Sequence, residues 1–463
     1  MKFLPENDTI VALSSPLGKG AIAVVRASGR QCLAIVNPLL KKKLAPADAR
    51  RALFNEFYSS SPARIIDQVV TTYFREPASY TGEDLVEISC HCNPLIINRI
   101  IEALVQSGAR VAEPGEFTFR AFMNGKMDLS QAEAVAEIIN ARTRQSLAQS
   151  IRHLEGKFSE RVHEIKNDIL TYLSLLEINL DFSDEGIEVL PPEVLRERIT
   201  QTVRRVEQLL HSYDYGRLLQ EGIKLVILGK PNVGKSSLLN VLVERERAIV
   251  SEIPGTTRDY IEASLEIDGL AVQAVDTAGI RQTGDAVEAI GVERALALLP
   301  SADIALCLFE SHRPPGPDDE VLVEIVREHR EEVKFVLVLN KADLGVDPAA
   351  EKALEPLALP LVHISARTRR GVDDLKKAIK KQLFEEESLE SEEIVVTGAR
   401  HKAALERTRE ALLNALGAVE QRSTEEIIAV DIRLALDRLG EITGETTSED
   451  VLNHIFANFC IGK

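Results

Sequence analysis

The residues best suited to chemistry form the string Gly229-Lys230-Pro231-Asn232-Val233-Gly234-Lys235-Ser236, which lies between an apolar run at 225–228 and a helix-like stretch at 237–242. A glycine-rich turn in this position predicts a phosphate-binding loop, because backbone N–H groups and the helix N-terminus attract anions. Lys235 would supply charge to the β- and γ-phosphates, and Ser236 would supply a hydroxyl ligand for Mg²⁺. A chance match in a chain of this length is expected only at roughly the per cent level.

Three further motifs, each after an apolar run, indicate which base is bound and how the γ-phosphate is contacted. Asp343, in Asn340-Lys341-Ala342-Asp343, can accept hydrogen bonds from the guanine N1–H and 2-amino groups, which adenine lacks. Ser365-Ala366-Arg367 can close the base pocket with backbone N–H groups. Asp276-Thr277-Ala278-Gly279 supplies an Asp on the Mg²⁺ side and a Gly N–H for the γ-phosphate. Together the four motifs predict a guanine-nucleotide site.

The group that would orient the attacking water is less evident. The set of motifs resembles the translation-factor-like GTPases, but Ile280 stands where Ras-type enzymes carry a catalytic Gln. Another polar group must then act, and the candidates lie at 281–293. We favour Glu288, although a solvated helix face carrying Asp285, Glu288 and Glu293 would give the same pattern.

The segment between the phosphate loop and Asp276 contains the string Gly255-Thr256-Thr257-Arg258-Asp259, in which Thr257 is the expected hydroxyl ligand for Mg²⁺. With Asn232, this string resembles the MnmE or TrmE family of tRNA-modifying GTPases. The resemblance extends over essentially the whole chain. Matching stretches lie at 7–12, 79–84, 114–122 and 459–463.

The resemblance implies a potassium-activated GTPase that works as a homodimer. Asn232 and backbone oxygens of Ser251, Ile253 and Thr256 would hold K⁺ against the phosphates, where a cation offsets developing charge. Glu288 matches the family's catalytic Glu. The expected GTP-binding residues are Asn232, Val233, Gly234, Lys235, Ser236, Ser237, Ser251, Glu252, Ile253, Pro254, Gly255, Thr256, Thr257, Asp276, Thr277, Ala278, Gly279, Asn340, Lys341, Ala342, Asp343, Ser365, Ala366 and Arg367.

A second site is implied by the resemblance of the N-terminal region to folate-binding domains. By matched position, Arg26, Glu87, Lys126 and Lys463 would contact 5-formyltetrahydrofolate or a related folate. Arg and Lys suit the glutamyl carboxylates of a folate, and a carboxylate suits the amino-amide edge of the pterin. Each residue also has a plain structural interpretation, such as the solvent face of a strand for Glu87 and a strand-end charge for Arg26.

Composition limits the class of protein. The 463 residues carry a net charge of −17, which argues against a general nucleic-acid coat while leaving room for a local basic face. Basic residues are scattered, so tRNA binding rests on the resemblance. Five cysteines favour a reducing compartment, and no apolar run reaches the roughly 18 residues of a membrane helix. We therefore expect a cytoplasmic protein without a membrane segment.

A metal site at Cys90-His91-Cys92 is disfavoured. In a strand the two thiols face one way and the imidazole the other, and no second motif completes four ligands.

Periodicity predicts several domains. Strands are expected at 9–12, 21–26, 68–74 and 84–90, with helices at 31–40 and 94–106. A long helix is expected at 130–182, beginning with a capping box at Ser130, and another at 192–213. Short strands then alternate with helices, which predicts a doubly wound parallel sheet.

We therefore expect a multidomain α/β and α protein with an inserted Ras-like P-loop domain. The expected parts are a folate-binding-like α/β domain at 1–118, a helical domain in two parts at 119–216 and 384–463, and a G domain at 217–383.

The family resemblance implies modification of the wobble uridine of certain tRNAs at C5, giving carboxymethylaminomethyl or aminomethyl groups. A flavin-dependent partner of the MnmG or GidA family would join in a heterotetramer or larger complex, and GTP hydrolysis would open and close the G-domain dimer. Two alternatives remain at this point. One is a ribosome-assembly or translation-linked switch without modification chemistry, and the other is a self-contained folate-dependent transferase regulated by GTP.

Overall fold

The computed structural model describes residues 8–16, 18, 20–60, 62, 64–181, 190–245, 262–267, 269–275, 298–384, 394–459 and 462. The chain divides into two compact units. The first comprises 1–136, 153–200 and 410–463, and the second comprises 137–152 and 201–409.

The first unit contains, within its described residues, a six-stranded sheet in the order β3-β4-β5-β2-β1-β6. Neighbouring strands are antiparallel except β1 and β6, which are parallel. The strands are β1 (Ile10–Leu13), β2 (Ile22–Ser28), β3 (Ala52–Tyr58), β4 (Ile65–Phe74), β5 (Leu85–His91) and β6 (Arg110–Val111).

The strands of this sheet alternate between a buried and a more exposed face. In β4, Val69, Thr71 and Tyr73 are buried, whereas the residues between them are partly or fully exposed. Such alternation is typical of an antiparallel sheet covered on one face. Buried residues of the helix α2 (Pro94–Gln106), such as Ile100, join the core of the covered face.

The remaining helices of the first unit are α1, α3, α6, α14 and α15, and the helices α4, α5, α7 and α13 contain residues of both units. Their bounds are α1 (Cys32–Val36), α3 (Glu116–Met123), α4 (Leu129–Asn140), α5 (Arg144–Leu154), α6 (Lys157–Asp181), α7 (Pro192–His211), α13 (Ala399–Glu420), α14 (Glu425–Thr443) and α15 (Glu449–Ala457).

Two helix predictions need correction. The expected single helix at 130–182 is wrong, because α4, α5 and α6 occupy its described residues. Its capping box is also wrong in position. The Oδ1 of Asp128 accepts the N–H of Gln131 at 2.9 Å, and the Oε1 of Gln131 accepts the N–H of Asp128 at 3.0 Å. The predicted helix at 31–40 is shorter, since α1 gives way to a 3-10 turn at Asn37–Leu39 that contains a proline.

The second unit contains, among its described residues, a six-stranded sheet in the order β12-β11-β10-β7-β9-β8. The strands are β7 (Ile223–Gly229), β8 (Glu262–Ile267), β9 (Leu270–Val275), β10 (Ile304–Glu310), β11 (Lys334–Asn340) and β12 (Leu361–His363). All pairs are parallel except β8 with β9, so the prediction of a purely parallel sheet is wrong at this edge.

Helices cover both faces of the second sheet. One core joins the sheet to α8, α9 and α12, and the other joins it to α10 and α11. Every residue of β10 is buried, as expected for a strand covered on both faces. The bounds are α8 (Tyr213–Glu221), α9 (Lys235–Arg245), α10 (Pro317–His329), α11 (Pro348–Leu354) and α12 (Val372–Leu383). None of the helices in the described part of the chain is long and apolar enough to cross a membrane.

Candidate functional site

Three neighbouring parallel strands of the second unit, β7, β10 and β11, have their carboxyl ends side by side. In the sheet register, Gly229 at the end of β7 lies opposite Leu308, and Glu310 at the end of β10 lies opposite Asn340 at the end of β11. Ligands of open α/β sheets bind outside the carboxyl ends of the strands, where the strand order reverses. Here the order reverses around β7, so the fold brings the predicted phosphate loop and guanine motif to this edge.

The phosphate loop runs from β7 directly into α9. Asn232 is exposed and has a left-handed backbone with φ of 59°. The Nζ of Lys235 donates to the carbonyl oxygens of Gly229, at 2.7 Å, and Lys230, at 2.9 Å. The ammonium group is therefore held by the loop itself. Ser236 and Ser237 are exposed in the first turn of α9, and a hydroxyl oxygen in this position can act as a ligand for a hard cation.

Asn340 connects the phosphate loop with the base-side motifs. Its side chain is buried; the Nδ2 donates to the carbonyl oxygen of Val233 at 2.8 Å, and the Oδ1 accepts the N–H of Ala366 at 3.0 Å. Gly234 is required beside it, because its φ is +104° and an added Cβ would lie 2.3 Å from the Nδ2 of Asn340. Three of the predicted motifs are thus joined through one amide group.

Asp343, which is exposed, and Ser365, which is buried, join two of the predicted base-side motifs. The Oγ of Ser365 donates to the Oδ1 of Asp343 at 2.7 Å, and this hydrogen bond lowers the pKa of Asp343. The carboxylate is therefore ionised and oriented as a hydrogen-bond acceptor. Ala366 is buried and Arg367 is exposed, whereas Ala342 donates its N–H to the carbonyl oxygen of Ile364 at 3.0 Å.

Glu310 is a further charged group at this edge that sequence reasoning missed. Its carboxylate accepts from Lys341 at 2.5 Å, pairs with Lys230 at 3.2 Å, and also pairs with Arg313. Burial raises the pKa of Glu310, but hydrogen bonds from Lys341, Arg313 and Lys230 outweigh that effect and lower the pKa to about 2. No motif contains Glu310. The available signal was its position at the end of a strand that pairs with β7.

The first unit brings together Arg26 and Glu87, which face each other across β2 and β5. The Nη2 and Nε of Arg26 donate to the Oε1 of Glu87 at 2.7 and 3.1 Å. The guanidinium also lies 5.4 Å from the ring centroid of Tyr80 and 5.7 Å from that of Phe117. Both charged side chains keep part of their surface exposed, at 16% for Arg26 and 30% for Glu87.

Gly462 lies at the same place. The carbonyl oxygen of Gly462 accepts from the Oγ of Ser14 at 3.1 Å and from the Nη1 of Arg26 at 3.5 Å. Gly462 has a φ of +93°, and an added Cβ would lie 2.1 Å from the carbonyl oxygen of Leu13. Gly462 is therefore packed against β1 beside the Arg26–Glu87 pair.

Comparison with known proteins gives a consistent result along the chain. The family description "MnmE helical domain" matches residues 129–460, and "GTP-binding protein TrmE N-terminus" matches residues 9–126. The tRNA modification GTPase MnmE of Moorella thermoacetica is 41% identical over 466 residues, covering 99% of this chain and 100% of its own length. The chain belongs to the MnmE family.

Other MnmE relatives agree with this assignment. The tRNA modification GTPase MnmE of Alkaliphilus metalliredigens is 39% identical over 462 residues, covering 99% of both chains. That of Geobacillus thermodenitrificans is 38% identical over 466 residues, covering 99% of this chain and 100% of its own. Among solved structures, the G domain of the T. maritima FeoB iron transporter covers 35% of this chain and 99% of its own, at 26% identity and a TM-score of 0.27.

Several residues expected to act in this MnmE family member lie outside the described residues. They are Ser251, Glu252, Ile253, Pro254, Gly255, Thr256, Thr257, Asp276, Thr277, Ala278, Gly279, Glu288 and Lys463. Lys126 is described; it is exposed, and its Nζ donates to the carbonyl oxygen of Pro77 at 3.0 Å.

The Cys90-His91-Cys92 string has a structural explanation. Cys90 is buried, and its pKa is raised to about 11, mainly by that burial. The exposed ring of His91 lies 2.8 Å from the Oδ1 of Asp67 on the neighbouring strand β4. No group of three or more His, Cys, Asp or Glu residues suited to a metal ion occurs in the described portion of this MnmE chain.

Proposed function

We propose that the chain is a potassium-activated GTP hydrolase that acts in tRNA modification. The observation that carries the GTPase assignment is the Asn340 side chain, which joins the phosphate loop at Val233 to the base-side motif at Ala366. Membership of the MnmE family, whose relatives are tRNA modification GTPases over their full length, supports the same activity. GTP is the substrate, bound by the predicted motif residues.

Mg²⁺ fits the donors at the start of α9. The hydroxyl of Ser236 is exposed in the first helical turn beside Lys235, and hydroxyl oxygen is a suitable ligand for this hard cation. Thr257 is the proposed second hydroxyl ligand. When bound, Mg²⁺ would offset charge on the β- and γ-phosphates. Lys235, already directed across the loop by two carbonyl groups, would bind the same phosphates from the protein side.

The proposed ligands of K⁺ are the side chain of Asn232 and the carbonyl groups of Ser251, Ile253 and Thr256. The left-handed backbone of Asn232 leaves its amide exposed at the loop surface. A bound K⁺ would supply positive charge where the γ-phosphate leaves. Glu288 would orient the attacking water, in place of the Gln of Ras-type enzymes.

The GTP hydrolysis rate in potassium and in sodium tests this proposal. The wild type should hydrolyse GTP at least tenfold faster in KCl than in NaCl at equal ionic strength, because a missing charge-stabilising group typically costs that much or more. Asn232→Ala should remove the difference, and Asn240→Ala, an exposed Asn on α9, should retain it. Equal wild-type rates in both salts would overturn the potassium role.

The first unit fits a reduced folate such as 5-formyltetrahydrofolate. Arg26 and Glu87 present a donor and an acceptor side by side, next to the aromatic rings of Tyr80 and Phe117 and the C-terminal Gly462. When bound, the folate would supply a one-carbon unit. Glu87 would bind the amino-amide edge of the pterin with Arg26 beside it, and Lys126 and Lys463 would bind carboxylates.

The proposed assembly is a cytoplasmic homodimer with a flavin-dependent MnmG-family partner, acting on the wobble uridine of certain tRNAs at C5. We propose a folate-binding-like domain at 1–118, a helical domain at 119–216 and 384–463, and an inserted G domain at 217–383. GTP hydrolysis would drive opening and closing of the G-domain dimer. A strain lacking this protein should show a wobble-uridine mass lower by the C5 substituent, and an unchanged mass would contradict the assignment.

A further inference from the structure

Glu310 forms ion pairs with three cationic side chains, which come from three different segments near the carboxyl ends of the G-domain strands. Lys230 comes from the phosphate loop, Lys341 from the guanine motif, and Arg313 from the turn after β10. The Glu310 side chain is only 6% exposed, and it stays ionised because these cationic partners outweigh the effect of burial. Because Glu310 ends a central strand whose residues are all buried, it is a fixed point between the side chains of Lys230 and Lys341.

Lys230 is held from two sides. Its Nζ lies 3.2 Å from the Oε2 of Glu310 and 2.7 Å from the Oδ2 of Asp319. Asp319 is itself held at the start of α10, where its Oδ2 accepts the N–H of Gly316 at 3.0 Å. The Lys230 side chain, 12% exposed, is therefore anchored under the phosphate loop.

Anchoring the side chain of Lys230 also restrains the backbone of the phosphate loop. The carbonyl oxygen of Lys230 accepts from the Nζ of Lys235, the phosphate-binding lysine, at 2.9 Å. On the base side, Lys341 has a left-handed backbone with φ of 64°, which costs free energy for a residue other than glycine. The ion pair of Lys341 with Glu310 at 2.5 Å holds that conformation beside Asp343.

We propose that Glu310 is a positioning residue that keeps guanine nucleotide bound by fixing the phosphate loop through Lys230 and the guanine motif through Lys341. It acts through these two residues and does not contact the nucleotide. A carboxylate near the phosphates would by simple repulsion weaken nucleotide binding. If repulsion dominated, removing the charge of Glu310 would strengthen nucleotide binding. The positioning role predicts that the same change weakens nucleotide binding.

The test is the dissociation rate of a fluorescent GDP analogue, N-methylanthraniloyl-GDP, from the full-length chain in Mg²⁺ and KCl. Glu310→Gln should raise the dissociation rate about tenfold, because it removes charged hydrogen bonds to both lysines. The KM for GTP should rise by about the same factor, while kcat at saturating GTP changes less than about twofold, since the reacting atoms keep their contacts.

Two other variants separate positioning from general destabilisation. Arg313→Ala removes the partner of Glu310 that is 58% exposed and outside both nucleotide motifs, so the dissociation rate should stay as in the wild type. Lys230→Gln removes the contact from the loop side and should raise the dissociation rate as Glu310→Gln does. The double variant should have less than the sum of the two single effects, since both changes remove the contact between Lys230 and Glu310.

Unchanged or slower GDP release from Glu310→Gln would overturn the proposal, as would an equal effect of Arg313→Ala. A lower thermal unfolding temperature with unchanged release would show a purely structural role and would overturn it too. If Glu310→Gln does not fold, Lys230→Gln decides by the same criterion.

Discussion

Replacing Asn340 by Ala tests whether one buried amide holds the nucleotide site together. The change removes two hydrogen bonds, to the carbonyl oxygen of Val233 at 2.8 Å and from the N–H of Ala366 at 3.0 Å. Each backbone group left unpaired in the interior costs about 1–3 kcal/mol, so the two together cost roughly 2–6 kcal/mol. If only about 1.4 kcal/mol of this cost destabilises the nucleotide-bound state relative to the free protein, GDP binding becomes tenfold weaker.

The assay is equilibrium titration of the full-length chain with fluorescent GDP in Mg²⁺ and KCl, together with thermal unfolding. Asn340→Ala should raise the Kd for GDP at least tenfold and lower the unfolding temperature of the G domain. Asn240→Ala changes the same residue type on the exposed face of α9 and should leave both values unchanged. A Kd for Asn340→Ala within twofold of the wild type would refute the reasoning, because the two bonds would then be replaceable by solvent.

Two further predictions concern the C-terminal residues and acid stability. In Gly462→Ala the new Cβ would lie 2.1 Å from the carbonyl oxygen of Leu13, so residue 462 must move away from Arg26; titration calorimetry should show 5-formyltetrahydrofolate binding at least tenfold weaker with an unchanged GTPase rate. The control Gly417→Ala, whose Cβ meets no atom within 4 Å, should bind folate normally, and equal affinities would contradict the prediction. The pKa of Glu310 falls from 4.5 to about 2 on folding, so its stabilising contribution is complete above pH 4.5 and is lost as the pH falls through about 2. The difference in unfolding temperature between wild type and Glu310→Gln should therefore be flat at neutral pH and shrink in acid, and a difference that grows in acid would count against the argument.

The fold could be predicted best for helices and strands whose residues are nearly all in the same environment, such as strands that are buried on both faces. The strands β10 and β11 are almost entirely apolar and buried, so their sequence alone indicated them. β3 was missed because a polar Asn55 occupies a buried position, where it bonds both the N–H and the carbonyl oxygen of Lys42. The boundaries between α4, α5 and α6 were missed because the apolar spacing continues across them.

The candidate site could likewise be predicted only in part. Motif spacing predicted that residues following β7, β11 and β12 would meet, since parallel strands end at one edge. It could not predict which side chains pair there, because ion pairs such as Lys230 with Asp319 join segments far apart in sequence. Arg26 and Glu87 were expected to act separately on a ligand, and only the register of β2 with β5 places them in contact.

The register of β10 with β11 has a consequence for how nucleotide binds. Glu310 and Asn340 lie opposite each other, and each reaches the phosphate loop, Glu310 at the side chain of Lys230 and Asn340 at the carbonyl group of Val233. The loop is therefore fixed at two points by contacts with other parts of the protein. Because less of the loop has to be ordered on binding, more of the interaction with the phosphates remains as affinity. The guanine motif thus serves the phosphates as well as the base, and losing either contact should weaken binding of GDP and GTP alike.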